Sequence, residues 1–385
     1  MPDAPPEFQT GRVATLAGGH AVHDTYTAFL PPLLPVFVDE FGLSNTAAGG
    51  LSAFVQAGAV IQPFVGHLAD RRSLKWGVIL GPAVTACLMS VVGWAGNYAV
   101  LAVLLLGVGL NSAAFHAVGP PTAGRLSGNR LGRGMAFWMV GGELGRTLGP
   151  IVVTTAVAWL TLRGMAVVMV GGIAASAMLY RQLRRVEVRP PAHTAPVPWR
   201  EGLRTMRRMM LLLAGIVVVR ALMMVAATTY LPIFLTDEGA GLLLAGAALS
   251  LLEAAGVAGA MVGGWMSDRV GRRAVLLGGY LAAPAALVGF VVVSGWVRVP
   301  LLLVLGFTLL AIQPVNMALA QEAAPQSRAL ANGVYLALSF AIRTAAVVAF
   351  GVMADAFGLR TAFLVSAAVM AAGLPLVLAV PGRPH

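Results

Sequence analysis

Charged side chains are scarce in this sequence. Only 11% of its 385 residues are Asp, Glu, Lys or Arg, whereas an ordinary soluble domain carries roughly a quarter. Hydrophobic residues make up 58% of the chain, and the mean hydropathy is +0.83. This composition excludes a soluble globular protein, so lipid must be the solvent for most of the chain.

Cysteine is almost absent as well. The single cysteine, Cys87, excludes an intrachain disulfide and a cysteine-ligated metal cluster. The sequence also lacks the G-x-S-x-G, H-E-x-x-H and Walker patterns, so we expect no enzyme, no cofactor and no direct use of ATP. The membrane carboxylates and histidines do not have a recognisable metal-ligand spacing, and no metal site is predicted.

A net charge of +11 raises the question of a polyanionic partner. The basic residues lie between the apolar runs instead of forming one surface, so we expect no nucleic-acid partner. Their placement instead sets the topology of a membrane protein, because cytoplasmic loops carry the excess of arginine and lysine.

The sequence contains a series of twelve long apolar segments. About 20 helical residues cross a ~30 Å hydrocarbon core, and the segments are continuously apolar, whereas the strands of a membrane barrel alternate. We therefore predict an all-α integral membrane protein with twelve transmembrane helices. The segments are 13–38, 47–69, 76–95, 98–119, 133–157, 161–180, 209–235, 242–265, 274–294, 299–320, 328–353 and 360–381.

The loops between these segments differ in basic content, which predicts that both termini are cytoplasmic. A Pro-rich and Arg-rich stretch, 181–208, predicts a cytoplasmic linker between an N-terminal six-helix half, 1–180, and a C-terminal one, 209–385. The inner loops then hold Arg71, Arg72, Lys75, Arg125, Arg130, Arg133, the linker, Arg269, Arg272, Arg273 and Arg328. The outer loops hold Arg163, Arg298 and Arg360.

An internal repeat follows the second and eighth segments. Both copies have the form G-x-x-x-D-R and are half a protein apart: Gly66, Asp70 and Arg71 in the first, and Gly264, Asp268 and Arg269 in the second. The glycines allow close helix approach, and each aspartate could accept hydrogen bonds from a neighbouring helix N-terminus. The alternative is that these loops only set the topology.

The repeat resembles the signature loop of the major facilitator superfamily. This resemblance implies two pseudo-symmetric six-helix bundles, transport by alternating access, and a gating role for the residues of the two loops. In the fifth segment, Gly145-x-x-x-Gly149-Pro150 is similar to the motif of antiporters in this superfamily. Close packing without any bearing on the direction of transport is the alternative for this motif.

The first half also resembles one branch, the fosmidomycin-resistance-like efflux transporters. The residues that carry this resemblance are Gly19, His20, Asp24, Leu33 to Pro35, Gln62, Pro63, Ala114 to His116, Gly124 to Gly128 and Met139 to Gly142, with Arg220, Leu231 and Pro232 in the second half. The resemblance implies efflux of a small organic compound, and a phosphonate drug in particular. Glu143 and Arg146 depart from the branch, where an uncharged residue is expected.

Six charged residues lie in predicted membrane segments away from the segment ends, where each charge costs about 2.5–3.5 kcal/mol even on the lenient insertion scale. Each should therefore face the protein interior or a wet cavity. Arg220, Arg343, Glu253 and Arg146 are candidates for substrate binding together with His116 and Trp138. Structural ion pairing is the alternative: between Glu143 and Arg146 on one helix face, between Glu253 and Arg146, or between Arg220 and Asp24 as counter-ions.

Asp24 in the first segment is the candidate for proton coupling. His20 lies one helical turn before it and shares its face, whereas His23 is expected to point elsewhere. A buried His–Asp pair can exchange a proton near neutral pH. We therefore predict Asp24, His20 and Glu143 as proton-coupling residues, and expect the fourth segment to break at Gly119-Pro120-Pro121 near His116.

These observations lead to one preferred function and two alternatives. We expect a proton-coupled efflux transporter of a small organic, anionic compound, in the bacterial cytoplasmic membrane and acting as a monomer. A symporter or uniporter with the same fold is the first alternative, and a membrane-embedded enzyme or channel is the second. The expected partners are the substrate, protons and the lipid bilayer.

Overall fold

The computed structural model describes residues 7–58, 75–128, 130–186, 199–324 and 328–382, and within these ranges the regular structure is helical. The prediction of an all-α membrane protein is confirmed. Nine helical stretches of the described residues are long and apolar enough to cross a membrane.

The helices of the first half of the chain follow the predicted apolar segments. The first segment is split into two helices at residues 28 and 29, just before Pro31 and Pro32. The helices are α1 (Thr10–Thr27), α2 (Leu30–Phe41), α3 (Asn45–Ala57), α4 (Lys75–Ser90), α5 (Tyr98–Leu126), α6 (Leu131–Gly164) and α7 (Met169–Leu183).

The second half contains eight helices in its described residues. The helices are α8 (Trp199–Val225), α9 (Leu231–Asp237), α10 (Leu242–Val270), α11 (Arg272–Val292), α12 (Arg298–Glu322), α13 (Arg328–Phe357), α14 (Leu359–Ala372) and α15 (Leu374–Leu378). One π-helical turn, Ala226–Tyr230, joins α8 to α9.

Several helix boundaries differ from the prediction. Helix α5 does not break at Pro120 and Pro121 but continues to Leu126, because neighbouring groups can satisfy the backbone that proline leaves free inside a membrane bundle. Helix α8 begins at Trp199, inside the stretch predicted as linker. Helix α7 also runs into this stretch and ends at Leu183, and residues 187–198 of the predicted linker lie outside the described residues.

The described chain forms two compact units. Unit 1 comprises residues 1–34 and 54–192. Within it α1 packs on α6, and α4 packs on α5 and α7. Its core contains Leu16, Ile79, Phe115, Trp138 and Leu179, all nearly or fully buried. Helix α1, which carries Asp24, therefore packs against helices of its own unit.

Unit 2 comprises residues 35–53 and 193–385. Helix α12 packs on α10 and α11, and α8 packs on α13. The hydroxyl of Tyr280 donates to the carbonyl of Ile216 over 2.6 Å, which ties α11 to α8. The first turns of α3, although they come from the first half of the sequence, pack within this unit.

Candidate functional site

The centre of unit 1 is a carboxylate surrounded by three histidines. Asp24 is 6% exposed. Its Oδ2 lies 3.3 Å from Nε2 of His20, and its Oδ1 lies 2.9 Å from Nδ1 of His23 and 3.5 Å from Nε2 of His116. The predicted pair of Asp24 and His20 is therefore present, and two further histidines complete the group. We call these four residues the Asp–His cluster.

One expectation about this cluster is wrong. His23 does not point away from Asp24, since its Nδ1 hydrogen-bonds to the neighbouring carboxylate. Residues i and i+1 diverge by about 100° around a helix, but the side chains of His and Asp are long enough to meet across that angle. The His23 ring is held in place by a stacked contact with Phe115, with 4.1 Å between ring centroids.

Backbone carbonyls fix the other two imidazole rings. Nδ1 of His20 lies 2.8 Å from the carbonyl oxygen of Trp138 in α6. Nδ1 of His116 lies 3.0 Å from the carbonyl oxygen of Ser112, one turn earlier in α5. Nε2 of His20 and Nε2 of His116 then face each other at 3.2 Å. Three helices, α1, α5 and α6, thus position the cluster.

Trp138 supports this cluster with its ring. The indole is 4% exposed and stacks on His20 with 3.8 Å between ring centroids. The sequence predicts that Trp138 binds the substrate. In the structure its ring packs against the ring of His20. His116, also assigned to the substrate, contacts the proton-coupling candidates Asp24 and His20.

The antiporter-like motif of α6 lies directly against α1. A Cβ on Gly145 would come within 2.3 Å of the carbonyl oxygen of Ala21, and a Cβ on Gly149 would come within 2.5 Å of that of Thr25. Gly142 borders the Asp–His cluster itself, since a Cβ there would lie 2.6 Å from Cε1 of His20. Small residues therefore set the distance between α6 and the helix that carries Asp24.

Glu143 and Arg146 of α6 form the ion pair that their spacing allows. Their side chains are 19% and 43% exposed, so the pair is less buried than the Asp–His cluster. Pro150 follows in the same helix, which runs on to Gly164. The predicted gap between the fifth and sixth segments takes the form of a kink at Thr161, where φ is 68°.

Three atoms of the Asp–His cluster lie close enough to one another to bind a cation together. Nitrogen atoms of His20 and His116 and an oxygen of Asp24 lie within 4.8 Å of one another. The sequence analysis expects no metal here, and that stays a prediction.

The second polar site is a cavity of about 90 Å³ in unit 2. Arg220 of α8 and Arg343 of α13 both line it, together with Gln313, Ser339 and apolar side chains including Met224 and Phe340. The two arginines that the sequence analysis assigns to one substrate site are therefore brought together. Among the described residues, the lining of this cavity contains no acidic side chain.

Arg220 is 5% exposed and is held by neutral acceptors. It donates to the carbonyl oxygen of Leu309 over 2.8 Å and to Oε1 of Gln313 over 3.3 Å. Its Nε is buried and has no hydrogen-bond partner in the described part of the chain. Arg343 donates to the hydroxyl of Thr228, in the π-helical turn, over 3.2 Å. The cavity is therefore a positively charged site with an unused donor.

Comparison with known proteins identifies the family. The sequence profile of the Major Facilitator Superfamily matches residues 16–347. The chain belongs to the Major Facilitator Superfamily. Its members are membrane transporters, so this facilitator is a transporter that spans the lipid bilayer several times and is not an enzyme.

Two curated relatives match this facilitator over most of its length. The "Fosmidomycin resistance protein" of Escherichia coli is 24% identical over 359 residues, which cover 90% of this chain and 86% of that protein. The "Uncharacterized MFS-type transporter YfnC" of Bacillus subtilis is 27% identical over 359 residues, which cover 88% and 85%. The resemblance to the fosmidomycin-resistance-like branch is thus confirmed.

Solved structures share the facilitator fold. An inward-facing, unoccupied bacterial homologue of the human lysosomal transporter Spinster superposes with a TM-score of 0.78 at 14% identity, covering 97% of this chain and 96% of that one. A mutant of the nucleoside transporter NupG gives a TM-score of 0.76 at 14% identity, with coverage of 96% and 99%.

The second signature loop of this facilitator is an ion-pair network. Asp268 accepts a hydrogen bond from Arg272 over 2.6 Å, and Arg272 also contacts Glu322 at 2.8 Å. Arg269 packs over the ring of Trp265, 3.6 Å from its centroid. Within the described residues, the carboxylate of Asp268 bonds to the side chain of Arg272, and its expected cap on a neighbouring helix stays a prediction.

The remaining predicted residues contribute less to this picture. Gly264 of the second loop lies in α10, where an added Cβ would come no closer than 3.7 Å to Pro314, an ordinary contact. Glu253 is half-buried in the same helix. Gly66, Asp70 and Arg71 of the first loop lie outside the described residues.

A helix cap that the sequence analysis missed is made by Asp355, near the end of α13. Its carboxylate accepts hydrogen bonds from the backbone N–H of Asn45 over 2.7 Å, the N–H of Thr46 over 2.9 Å, and the hydroxyl of Thr46 over 2.6 Å. These donors lie in the first turn of helix α3. The sequence did contain a signal, because Gly351 and Asp355 repeat the G-x-x-x-D spacing of the signature loops.

Proposed function

We propose that this facilitator is a proton-coupled efflux transporter that exchanges protons for a small organic anion. The observation that carries the proposal is the Asp–His cluster, in which a buried carboxylate on the first membrane helix contacts three histidines. Ionisable groups in membrane segments are costly to bury and commonly mark ion or proton pathways. Histidine is the side chain whose ordinary charge change falls in the physiological pH range.

The coupling site in this proposal contains Asp24 and His20, with Glu143 nearby on α6 as a secondary proton-binding residue. Asp24 is the central residue because every histidine of the cluster contacts its carboxylate. Glu143 is paired with Arg146, so it is secondary to Asp24 in this proposal.

The substrate site in this proposal is the cavity lined by Arg220 and Arg343. A guanidinium offers a planar fork that matches a carboxylate or phosphonate. Arg220 is buried and bound to neutral acceptors, so an anion would supply the missing negative charge. His116, Trp138, Arg146 and Glu253, also predicted for the substrate, are secondary to the two arginines in this account.

Two observations support the direction of transport. The glycines of the antiporter-like motif set the contact between α6 and the helix of Asp24, which gives that motif a physical connection to the proposed proton site. The relative from Escherichia coli is named for fosmidomycin resistance. Fosmidomycin is a phosphonate, and export from the cell is a direct way for a transporter to confer resistance.

The proposed location is the bacterial cytoplasmic membrane, with both termini in the cytoplasm and one chain as the working unit. The excess of arginine in the predicted inner loops supports this orientation. The two signature loops, including Gly264, Asp268 and Arg269, would then lie on the cytoplasmic side and take part in gating.

Proteoliposomes with an imposed pH gradient test the function directly. With labelled fosmidomycin as the probe, an acidic lumen should drive its uptake, because protons leaving the vesicle exchange for the drug. Uptake driven only by an acidic exterior would instead identify a symporter. Equilibration that no pH gradient accelerates would identify a uniporter. Either result would overturn proton antiport.

A further inference from the structure

We propose that the coupling proton is shared between Nε2 of His20 and Nε2 of His116, with the carboxylate of Asp24 as its counter-ion. This inference rests on the proposed proton-coupled function and names where in the cluster the proton is held. It moves His116 from the substrate site to the proton site. Asp24 stays ionised in this arrangement and stabilises the proton without carrying it.

The contacts of the two Nδ1 atoms fix the positions of the ring protons. Nδ1 of His20 lies 2.8 Å from the carbonyl oxygen of Trp138, and Nδ1 of His116 lies 3.0 Å from that of Ser112. A backbone carbonyl only accepts hydrogen bonds, so both Nδ1 atoms must carry a hydrogen. A neutral imidazole has one N–H, and therefore both Nε2 atoms would hold lone pairs if both rings were neutral.

The two Nε2 atoms lie close to each other. Nε2 of His20 and Nε2 of His116 are 3.2 Å apart, which is a hydrogen-bond separation. Asp24 adds oxygens at 3.3 Å from the first and 3.5 Å from the second. Without a proton, three electron-rich atoms would converge in a buried site. One proton on either Nε2 turns the contact into an N–H···N bond and makes one ring an imidazolium.

The charges around the site are consistent with one bound proton. An imidazolium and the Asp24 carboxylate sum to zero, which a buried location favours. His23 donates its Nδ1–H to Asp24 and can stay neutral. Trp138 stacks on His20, and an aromatic face attracts a cation.

The other charged group that acts on the cluster is on α6. Arg146 is near enough to repel a positive charge on His116, but its charge is balanced by Glu143 in the same helix. The titratable groups around the shared proton are therefore Asp24, His23 and the Glu143–Arg146 ion pair, as far as the described parts of α1, α5 and α6 are concerned.

Exposure indicates how the proton reaches the site. The side chain of His116 is 30% exposed, whereas those of His20 and Asp24 are 5% and 9% exposed. In this proposal the more exposed His116 receives the proton first, and the 3.2 Å contact passes it on to His20. Reversal of this transfer releases the proton, so that one histidine is the entrance and the other is the buried holder.

The hydroxyl of Ser112 allows a competing arrangement that an experiment can separate. It lies 3.3 Å from Nδ1 of His116, and if it donated there, His116 could be neutral with its hydrogen on Nε2. In that case the Nδ1 lone pair would face the Ser112 carbonyl oxygen at 3.0 Å, which is repulsive. The variant Ser112→Ala removes the hydroxyl and keeps the carbonyl, so it is the matched control.

Nitrogen NMR of the full chain, labelled with ¹⁵N-histidine and held in liposomes at neutral pH, tests the shared proton without a substrate. We expect a scalar coupling between two Nε2 atoms, with both Nδ1 atoms protonated. The coupling should vanish in His116→Gln and in the shorter His116→Asn, and persist in Ser112→Ala. Two unprotonated Nε2 signals without coupling, or loss of the coupling in Ser112→Ala, would overturn the inference.

A transport assay separates this inference from the proposed function. In both, Asp24→Asn abolishes accumulation of fosmidomycin driven by a pH gradient. If the proton is shared as we propose, His116→Gln should also reduce this accumulation at least tenfold while retaining drug exchange without a gradient. Full gradient-driven accumulation in His116→Gln, together with its loss in Asp24→Asn, would refute the shared proton and leave proton coupling intact.

Discussion

Gly145 of α6 and Ala21 of α1 are in contact through their backbones. A Cβ built on Gly145 would lie 2.3 Å from the carbonyl oxygen of Ala21 and 2.9 Å from Cβ of Asp24. Real side-chain carbons do not approach a carbonyl oxygen so closely, so one helix would have to move. The antiporter-like motif therefore controls the position of the helix that carries the proposed proton site.

The variant Gly145→Ala should consequently disturb both stability and coupling. Overpacking of a tight contact costs about 1–3 kcal/mol, which exceeds the gain of up to about 1 kcal/mol from replacing glycine by alanine in a helix. We expect a lower thermal unfolding temperature in detergent and a reduced response of transport to a pH gradient. Gly18→Ala in α1 is the control, since an added Cβ there has no neighbour within 4 Å. An unchanged Gly145→Ala variant would contradict the packing.

Asp355 should stabilise the beginning of α3. Its carboxylate accepts hydrogen bonds from the backbone N–H groups of Asn45 and Thr46. The hydroxyl oxygen of Ser44 accepts one from the backbone N–H of Ala47. Loss of a helix N-terminal cap costs about 0.5–2 kcal/mol. We expect Asp355→Ala to lower the unfolding temperature, and Asp355→Asn to lower it less, because an amide oxygen can still accept a hydrogen bond.

The control for Asp355 is a second aspartate with the same charge. Asp237→Ala removes an exposed carboxylate at the end of α9 and should leave the unfolding temperature nearly unchanged. Equal effects of the two alanine variants would mean that charge alone, and not the cap, accounts for the loss.

Arg220→Lys tests the proposed anion site. Lysine keeps the positive charge but loses the planar fork, so we expect fosmidomycin binding to weaken by about 1–3 kcal/mol, the scale of a hydrogen bond to a charged group. Calorimetry on the folded variant measures this loss. Arg360→Lys is the control, since that side chain is 55% exposed and pairs with Glu238. Wild-type affinity in Arg220→Lys, or a preference for lipophilic cations, would exclude the anion site.

Accessible-cysteine labelling tests the orientation. In a Cys87→Ser background, Thr194→Cys should stay unmodified by an impermeant thiol reagent added to intact cells, because residue 194 belongs to the predicted cytoplasmic linker. Gly96→Cys, in the exposed turn between α4 and α5 and predicted to lie outside, should react. The reverse pattern would invert the topology.

Much of the fold could be predicted because the membrane imposes a simple rule on sequence. Helices such as α10 and α12 lie within a few residues of their predicted segments, since hydropathy and length alone define a membrane span. The continuation of α5 through Pro120 and Pro121 could not be predicted, because it depends on neighbours that supply what proline lacks.

The site was only partly predictable for a related reason. The contact of His20 with Asp24 follows from helical periodicity, since the two residues are one turn apart. His116 comes from a helix distant in the sequence, and its contact with Asp24 depends on how α5 packs against α1. Its role therefore became visible only from the distances between side chains.

The most direct test of the account is transport by Asp24→Asn in proteoliposomes with an acidic lumen. Asparagine keeps the size and hydrogen-bonding oxygen of the side chain but removes the charge that holds the proton in the cluster. We expect fosmidomycin to bind and exchange as in the wild type, while its accumulation against a gradient falls to the level of empty liposomes. Accumulation at the wild-type level in Asp24→Asn would contradict proton coupling through this residue.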